Sequence, residues 1–229
     1  LITGSEGIIG KSIFNKLNTE NHIFELDINN KLNPVDCTNE EQVDRFFKNL
    51  KKEINNLDAV INCLGNSDSV DNNKLKSLED VSINTFKSFL YINLISIFII
   101  IKAYMKYFSE SKGNIINISS LYSEVAPFTP NYEGYFKHPA YIASKSGLVG
   151  MSKYLAVLCS KNDIKINCIA PSAVLDTINN SNFIDKFKNL VPLNRGCSID
   201  DILNVIKMLL ENNLITGQNI LLDGGYTLW

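Results

Sequence analysis

Apolar residues fall along this chain in two alternating rhythms. Short runs bounded by turn residues have the length and β-branched content of buried strands. They are "LIT" at the start, "HIFELD" ending at Asp27, "LDAVINCLG" ending at Gly65, "GNIINISS" ending at Ser120, "IKINCIAP" ending at Pro171 and "NILLDGG" ending at Gly225. Between them the apolar positions recur at the helical period: a helix from about Ile8, then Val43, Phe46, Phe47, Leu50 and Ile54. A long helix is predicted around residues 81 to 108, another over 139 to 160, and a last one on Ile199, Ile202, Leu203, Ile206 and Leu210. Strand and helix in strict alternation predict a doubly wound α/β fold, a parallel sheet with helices on both faces. No Pro- or Ser-rich linker and no repeat divides residues 1–229, so one Rossmann-like domain is expected. The chain opens without Met, and its first strand is expected to begin before Leu1.

The longest apolar stretch, "SFLYINLISIFIII", runs over residues 88 to 101 and is interrupted by Asn93 and Ser96. It is too short to cross a bilayer, and a buried helix is predicted. This helix and the one over 139 to 160 carry apolar residues on more than one face, including Phe98, Ile99, Ile100 and Ile101. A helix apolar all round needs cover on both sides. One side is given to the sheet and the other to a second subunit, so a homo-oligomer, dimer or tetramer, is expected.

Composition narrows the chemistry. With 45% hydrophobic and 20% charged residues, the chain can bury a sizeable core. A formal charge of −2, spread evenly, argues against nucleic-acid or membrane partners held by bulk charge. The five cysteines are scattered without a CxxC pair, and His22 and His138 are the only histidines. No metal site is expected, and reduced thiols fit a cytoplasmic protein.

"TGSEGIIG", residues 3 to 10, sets Gly4, Gly7 and Gly10 between the first strand and first helix. Glycines there allow a tight turn, and the helix N-terminus offers N–H groups and positive potential to a pyrophosphate. Asp27, closing the second strand, is placed to bond adenosine ribose hydroxyls and to repel a 2′-phosphate. Glu6 adds a second negative charge with no compensating Lys or Arg foreseen nearby. NAD is therefore expected over NADP, which remains the alternative.

"AYIASKSG", residues 140 to 147, puts Tyr141 and Lys145 one helical turn apart on one face. A tyrosine serving as acid and base near neutrality needs its pKa lowered by roughly 2–3 units, about 3–4 kcal/mol of phenolate stabilisation. An adjacent ammonium supplies such a field.

The ordered set "TGSEGIIG", "NCLG", "YINL", "INISS", "YIASK", "NCIAPSAV" and "ITGQNILLDGG" resembles the single-domain short-chain dehydrogenases/reductases over essentially the whole chain. By that resemblance Asn93, Ser120, Tyr141 and Lys145 form the catalytic tetrad. Ser120 would bond the carbonyl or alkoxide oxygen and Tyr141 exchange the proton, while Lys145 lowers the tyrosine pKa and Asn93 anchors a water relay. The resemblance also places the cofactor on Thr3, Gly4, Ser5, Gly7, Ile8, Ile9 and Gly10. Asp27, Asp36 and Cys37 fall near the adenosine, with Asn62, Cys63, Leu64 and Gly65 on the floor. Pro171, Ser172, Val174 and Thr177 stand beside the nicotinamide, with Tyr141 and Lys145. The family usually forms tetramers.

Three features depart from the family's pattern. The glycine spacing is that of the longer, extended relatives, Ser172 replaces a usual Gly, and Ser120 and Tyr141 stand unusually far apart. The intervening residues 121–140 are expected to overhang the substrate, with Tyr132, Tyr135, Lys137 and His138 as candidate contacts. Their "VAP…YEG" segment resembles a bacterial subgroup linked to surface-polysaccharide and flagellin sugar modification. That implies a nucleotide-linked or phosphorylated sugar. A 3-oxoacyl carrier or small ketone is the rival substrate. A catalytically inactive dinucleotide-binding regulator and an epimerase or dehydratase with retained NAD are the rival functions.

Overall fold

The computed structural model describes residues 1–19, 21–67, 75–128 and 134–228. Six strands, β1 (Ile2–Thr3), β2 (Glu25–Leu26), β3 (Ala59–Asn62), β4 (Asn114–Ile118), β5 (Lys165–Pro171) and β6 (Asn219–Leu222), form one sheet. Their order is β2-β1-β3-β4-β5-β6, all parallel. Helices α1 (Ile8–Leu17), α2 (Glu40–Glu53), α3 (Ile83–Leu90), α4 (Ser96–Phe108), α5 (Pro139–Cys159), α6 (Ser181–Lys188) and α7 (Ile199–Glu211) make the connections. The fold class is the doubly wound α/β sheet that the hydrophobic pattern predicts.

Two apolar layers cover the sheet. One packs Val43, Phe47 and Leu50 of α2 with Ile97, Ile100, Ile101 and Tyr104 of α4 and Leu148 of α5. The other packs Ile13 and Leu17 of α1 with Ile202, Leu203 and Ile206 of α7. The first two strands are shorter than expected: only two residues of "HIFELD" pair, because β1 itself offers two ladder positions. The strand order turns between β1 and β3, and ligands of such sheets bind at the carboxyl ends there.

The predicted long helix is interrupted by a π-turn over Tyr91–Ile95, invisible in the apolar pattern. Ser96 Oγ donates back to Ile92 O across this turn. Ile83–Phe108, taken as one, is 26 residues with mean hydropathy 1.8 over its most apolar window, longer than the predicted stretch and long enough to span a bilayer. Here it lies in the interior: Ile97, Ile100, Ile101, Tyr104 and Phe108 pack under the sheet. Ile99, Ile100 and Ile101, expected to want a second subunit, are already buried in this chain. What remains outside is Ile83, Tyr91 and Phe98 on this helix, with Tyr154, Val157 and Leu158 on α5.

A buried polar chain ties the layers together. Thr3 Oγ1 donates to Asn62 Oδ1 (3.0 Å), Asn62 Nδ2 to Asn117 Oδ1 (2.7 Å), and Asn117 Nδ2 to Ser152 Oγ (2.9 Å). It links β1, β3, β4 and α5 beneath the site. Removing the middle member strands an amide donor and a hydroxyl acceptor in a dry interior. Asn117→Ala is expected to lower the unfolding free energy by about 3 kcal/mol. Urea denaturation, with an unchanged m-value, measures it.

Candidate active site

Beyond Thr3 the chain must turn at once into α1. Gly4 adopts φ 65°, and a side chain there would press on the backbone of Cys63 and Leu64. Gly10 lies against the Gly4 carbonyl so closely that no Cβ could fit. Gly7 caps α1 without a side-chain bond, leaving the N–H groups of the first turn facing outward. The glycine spacing of extended relatives thus serves an ordinary strand–turn–helix loop on a one-sheet fold.

Asp27 closes β2 and is buried. Its two oxygens accept from Glu6 N (3.1 Å) and Asn29 N (2.8 Å), which fixes the glycine loop against the end of β2. A carboxylate has lone pairs to spare after two such bonds. Glu6 departs from expectation, because Lys11 Nζ pairs with its Oε2 at 3.1 Å and offsets its charge. Asp36 turns one oxygen onto Thr38 N and Oγ1. Cys37 is a buried core thiol, its pKa pushed up by burial and by the carboxylates Asp27 and Asp36.

Along the sheet edge the tetrad candidates come together on three elements. Ser120, at the exit of β4, accepts from Tyr122 N (3.2 Å) and so caps the single turn Leu121–Ser123. Asn93 sits in the π-turn, fully buried. Its Oδ1 accepts from Asn66 N (2.7 Å), and its Nδ2 donates to Asn66 O and Ser144 Oγ (both 3.0 Å). Such insertions in helices often mark functional sites, and here the extra residue turns Asn93 out of the helix packing toward the loop after β3. Tyr141 lies in the first turn of α5, packed in an apolar cluster with Leu121, Tyr122 and Phe183.

Lys145 is buried, its Nζ donating to Ile118 O at 2.8 Å. Burial lowers its pKa to about 8, and the neighbouring Cys168 and Cys63 thiols oppose this. Gly65 lies close by: a Cβ there would sit 3.2 Å from Lys145 Nζ and 3.7 Å from Asn93 Oδ1, so both side chains converge on this glycine.

Ser120, Tyr141 and Lys145 share one cavity of about 680 Å³ at the carboxyl ends of β1, β3, β4 and β5, while Asn93 is fully buried and off its wall. Gly7, Ile8, Ile9, Cys63, Leu64, Gly65, Ser120, Tyr141, Lys145, Pro171, Ser172, Val174, Thr177 and Lys137 are on its wall. Thr3, Gly4, Ser5 and Gly10 support the loop from behind. Asp27, Asp36 and Cys37 lie off the wall, and Asn62 is held inside the sheet by its polar chain. Ser172, in the glycine position, is a strut: its Oγ accepts from Cys197 N (3.0 Å), locking the exit of β5 to the approach to α7.

The loop before α5 departs most from expectation. Tyr132 lies outside the described residues. His138 is buried off the cavity wall, stacked on Phe89 (4.8 Å), and its Nδ1 accepts from Ala140 N as the N-cap of α5. Tyr135 stands off the cavity wall, with Lys76 Nζ 5.7 Å from its ring centre. Of the three that are described, Lys137 lines the cavity. Sequence reasoning missed several other residues of the wall, among them Asn66, Leu121, Tyr122, Ile178, Asn180 and Phe183. Helix α6, which presents Phe183, showed only an Asn180 cap and a Phe183/Phe187 pair, too short a period to identify.

A dinucleotide suits this frame. Ser5 Oγ is buried in the loop without a hydrogen-bond partner among the described residues, and glycines clear the backbone approach. Residues 14–227 match the family model described as "Enoyl-(Acyl carrier protein) reductase". The chain belongs to the short-chain dehydrogenase/reductase family. It is 29% identical to carbonyl reductase family member 4 of Xenopus laevis over 84% of this chain and 76% of that one. It is 25% identical to the NAD-dependent glycerol dehydrogenase of Listeria innocua, across 100% of this chain and 93% of that one. A short-chain dehydrogenase of Leptospira borgpetersenii, solved with bound NAD+, superposes with a TM-score of 0.86 at 27% identity, covering 99% of this chain and 91% of that one. Within this family the protein is an NAD(P)-dependent oxidoreductase.

The buried ammonium has a consequence for stability. Lys145 titrates near 8 in the fold against 10.5 in the open chain. Keeping it charged therefore costs about 3 kcal/mol below pH 8, and the cost fades as pH rises from 8 to 10.5. Cofactor-free Lys145→Met is expected to be more stable than the parent at pH 7, with the difference gone by pH 10.5. Denaturant titrations at both values measure it.

Proposed function

We propose that this short-chain dehydrogenase/reductase interconverts a secondary alcohol and a ketone on a sugar or polyol that carries a phosphate or nucleotide, in surface-glycan biosynthesis. The observation that carries this reading is the charge of the cavity: its described wall holds Lys137 and Lys145 and neither Asp nor Glu. The "VAP…YEG" segment supports the glycan context.

When bound, the nicotinamide supplies the site that accepts or donates hydride. Tyr141 takes the hydroxyl proton in oxidation and returns it in reduction. Ser120 Oγ, already accepting from Tyr122 N, turns its own proton toward the substrate oxygen. Lys145 lies one helical turn from Tyr141, and its charge favours the phenolate. Asn93 holds the Asn66 backbone, and its Oδ1 and the Lys145 Nζ both converge on Gly65; a water relay between the two is part of this reading. NAD is the preferred cofactor in this reading: the Asp27 carboxylate, fixed by two backbone N–H groups, repels a 2′-phosphate, while the Glu6 charge is largely offset by Lys11.

A 3-oxoacyl substrate is the second reading. Leu121, Ile178 and Phe183 give one side of the wall an apolar surface an acyl chain would fit, and a 3-oxoacyl-[acyl-carrier-protein] reductase of Mus musculus is 28% identical over 84% of this chain. We propose further that the protein is a cytoplasmic homo-oligomer. Tyr91, Phe98, Tyr154, Val157 and Leu158 stay exposed on adjacent helices, an apolar surface that a second copy would cover.

Three measurements test this. Tyr141→Phe is expected to lose at least 100-fold in kcat with NAD affinity within a few-fold of the parent; retention of a tenth of the activity would remove Tyr141 from its role. Asp27→Ser is expected to narrow or reverse the NAD over NADP preference in calorimetry, and tighter NADP binding by the parent would refute it. Light scattering at micromolar concentration is expected to give a dimer or tetramer mass, and a monomer would overturn the assembly.

A further inference from the structure

We propose that Ser144 is a positioning residue of this site, the hydroxyl through which the Asn93 carboxamide holds the turn of α5 that carries Tyr141. The inference rests on the roles given above to Tyr141 and Asn93. Ser144 is fully buried, three residues after Tyr141 and one before Lys145. Its Oγ donates to Tyr141 O at 2.7 Å and accepts from Asn93 Nδ2 at 3.0 Å. A hydroxyl carries one proton, so the bond to Tyr141 O leaves Oγ able only to accept from the carboxamide. Asn66 demands the same orientation from the other side, its N–H donating to Asn93 Oδ1 and its carbonyl accepting from Nδ2. Oδ1 is thereby kept on the side of Gly65, where Lys145 Nζ also converges.

The bond is short because the two helical segments lie close. A Cβ on Gly147 would meet Leu94 Cδ2 at 3.2 Å, so α5 and the π-turn approach on a small residue. Serines tie α5 to its surroundings at two further places. Ser146 Oγ donates to Ser123 O, and Ser152 Oγ accepts from Asn117 Nδ2; both bonds serve the scaffold. Of these three serines, Ser144 is the one that reaches a tetrad residue. Both amide hydrogens of Asn93 are used, one on Asn66 O and one on Ser144 Oγ. Without the hydroxyl one of them is stranded in the interior, and the first turn of α5 loses this hold on the π-turn. The carboxamide and the turn that carries the phenol then relax apart, and the phenolate is less favoured. Among the described residues, the groups around Tyr141 that can charge are Lys137 (Nζ 5.2 Å from the ring centre), Lys145, His138 at the cap of α5, Tyr122 and Tyr226 in its apolar cluster, and Cys63 and Cys168 beside Lys145. All are kept when Ser144 is changed, so a shifted titration reports position and not a lost charge.

The test needs no substrate. The tyrosinate absorbance of NAD-saturated protein is followed against pH, and Tyr141 is isolated as the difference between each protein and the same protein carrying Tyr141→Phe. The parent difference is expected to titrate below the ordinary tyrosine value of about 10. Ser144→Ala is expected to raise it by about half a unit or more, roughly a threefold loss of phenolate below the midpoint. Ser144→Cys, similar in shape and weak in bonding, is expected to shift it the same way, so the result stands on either variant that folds. In an Asn93→Ala background, Ser144→Ala is expected to add less than about a quarter of that shift, because the two side chains act as one unit. Ser152→Ala cuts another buried serine bond of α5 and is expected to lower stability to urea while leaving the Tyr141 titration in place. An unmoved titration in both Ser144 variants, a full shift on top of Asn93→Ala, or an equal shift from Ser152→Ala overturns the assignment. A parent Tyr141 that titrates at about 10 overturns the acid–base reading and this inference together. A lowered parent value that neither Ser144 variant moves removes this inference alone.

Discussion

An ammonium buried at the carboxyl edge of a parallel sheet is the constraint on which this structure turns. Lys145 reaches from α5 to the Ile118 carbonyl at the end of β4, close to Gly65 in the loop after β3. A charge in so dry a place is unfavourable by itself, which is why its pKa falls to about 8. The carbonyl of Ile118 accepts from it at 2.8 Å and satisfies one of its donors, and it stands on the wall of a cavity that Tyr141 shares. Much of the surrounding sequence answers to this placement. Small residues, Ala140 and Ser144, line the buried face of α5 so that the helix sits close to the sheet.

The second organising device is the π-turn carrying Asn93. One carboxamide holds both backbone groups of Asn66 and a hydroxyl of α5, joining the loop after β3, the long core helix and the helix of Tyr141. A regular helix would keep Asn93 among the apolar residues that pack on the sheet. Below it, the Thr3–Asn62–Asn117–Ser152 chain passes through the sheet and fixes α5 against β4. Polar groups buried this way are satisfied one by one, so they hold a single geometry and allow little slippage.

Cofactor side and substrate side are built differently. The glycine loop, Asp27 and the strand ends are held by backbone hydrogen bonds, and their positions follow from the sheet. The substrate side is assembled from a long loop, the cap of α5 and the short helix α6, whose Phe183, Phe187 and Tyr226 rings stack in sequence toward the C-terminal turn. Such walls can change without disturbing the sheet, which accords with a family whose named members act on different substrates.

Periodicity, glycine placement and the Tyr141–Lys145 spacing by themselves determined the fold class, the loop at the head of α1 and the helix face that the tyrosine and lysine share. These are local or near-local rules: period 2 against 3.6, a positive φ at Gly4, one helical turn between two residues. Tertiary structure alone decided the rest. His138 looks like a ligand in sequence and is a cap, because Phe89, far away in the chain, supplies its stacking partner. Ser172 looks like a lost cofactor contact and is a strut to Cys197. Glu6 looks uncompensated until the first turn of α1 brings Lys11 back to it. The π-turn leaves no trace in the apolar pattern, and the place of Lys137 beside the Tyr141 ring is set only in the folded chain. Each depends on partners that the chain brings together only after folding, and no local pattern encodes a distance between residues that are not yet neighbours.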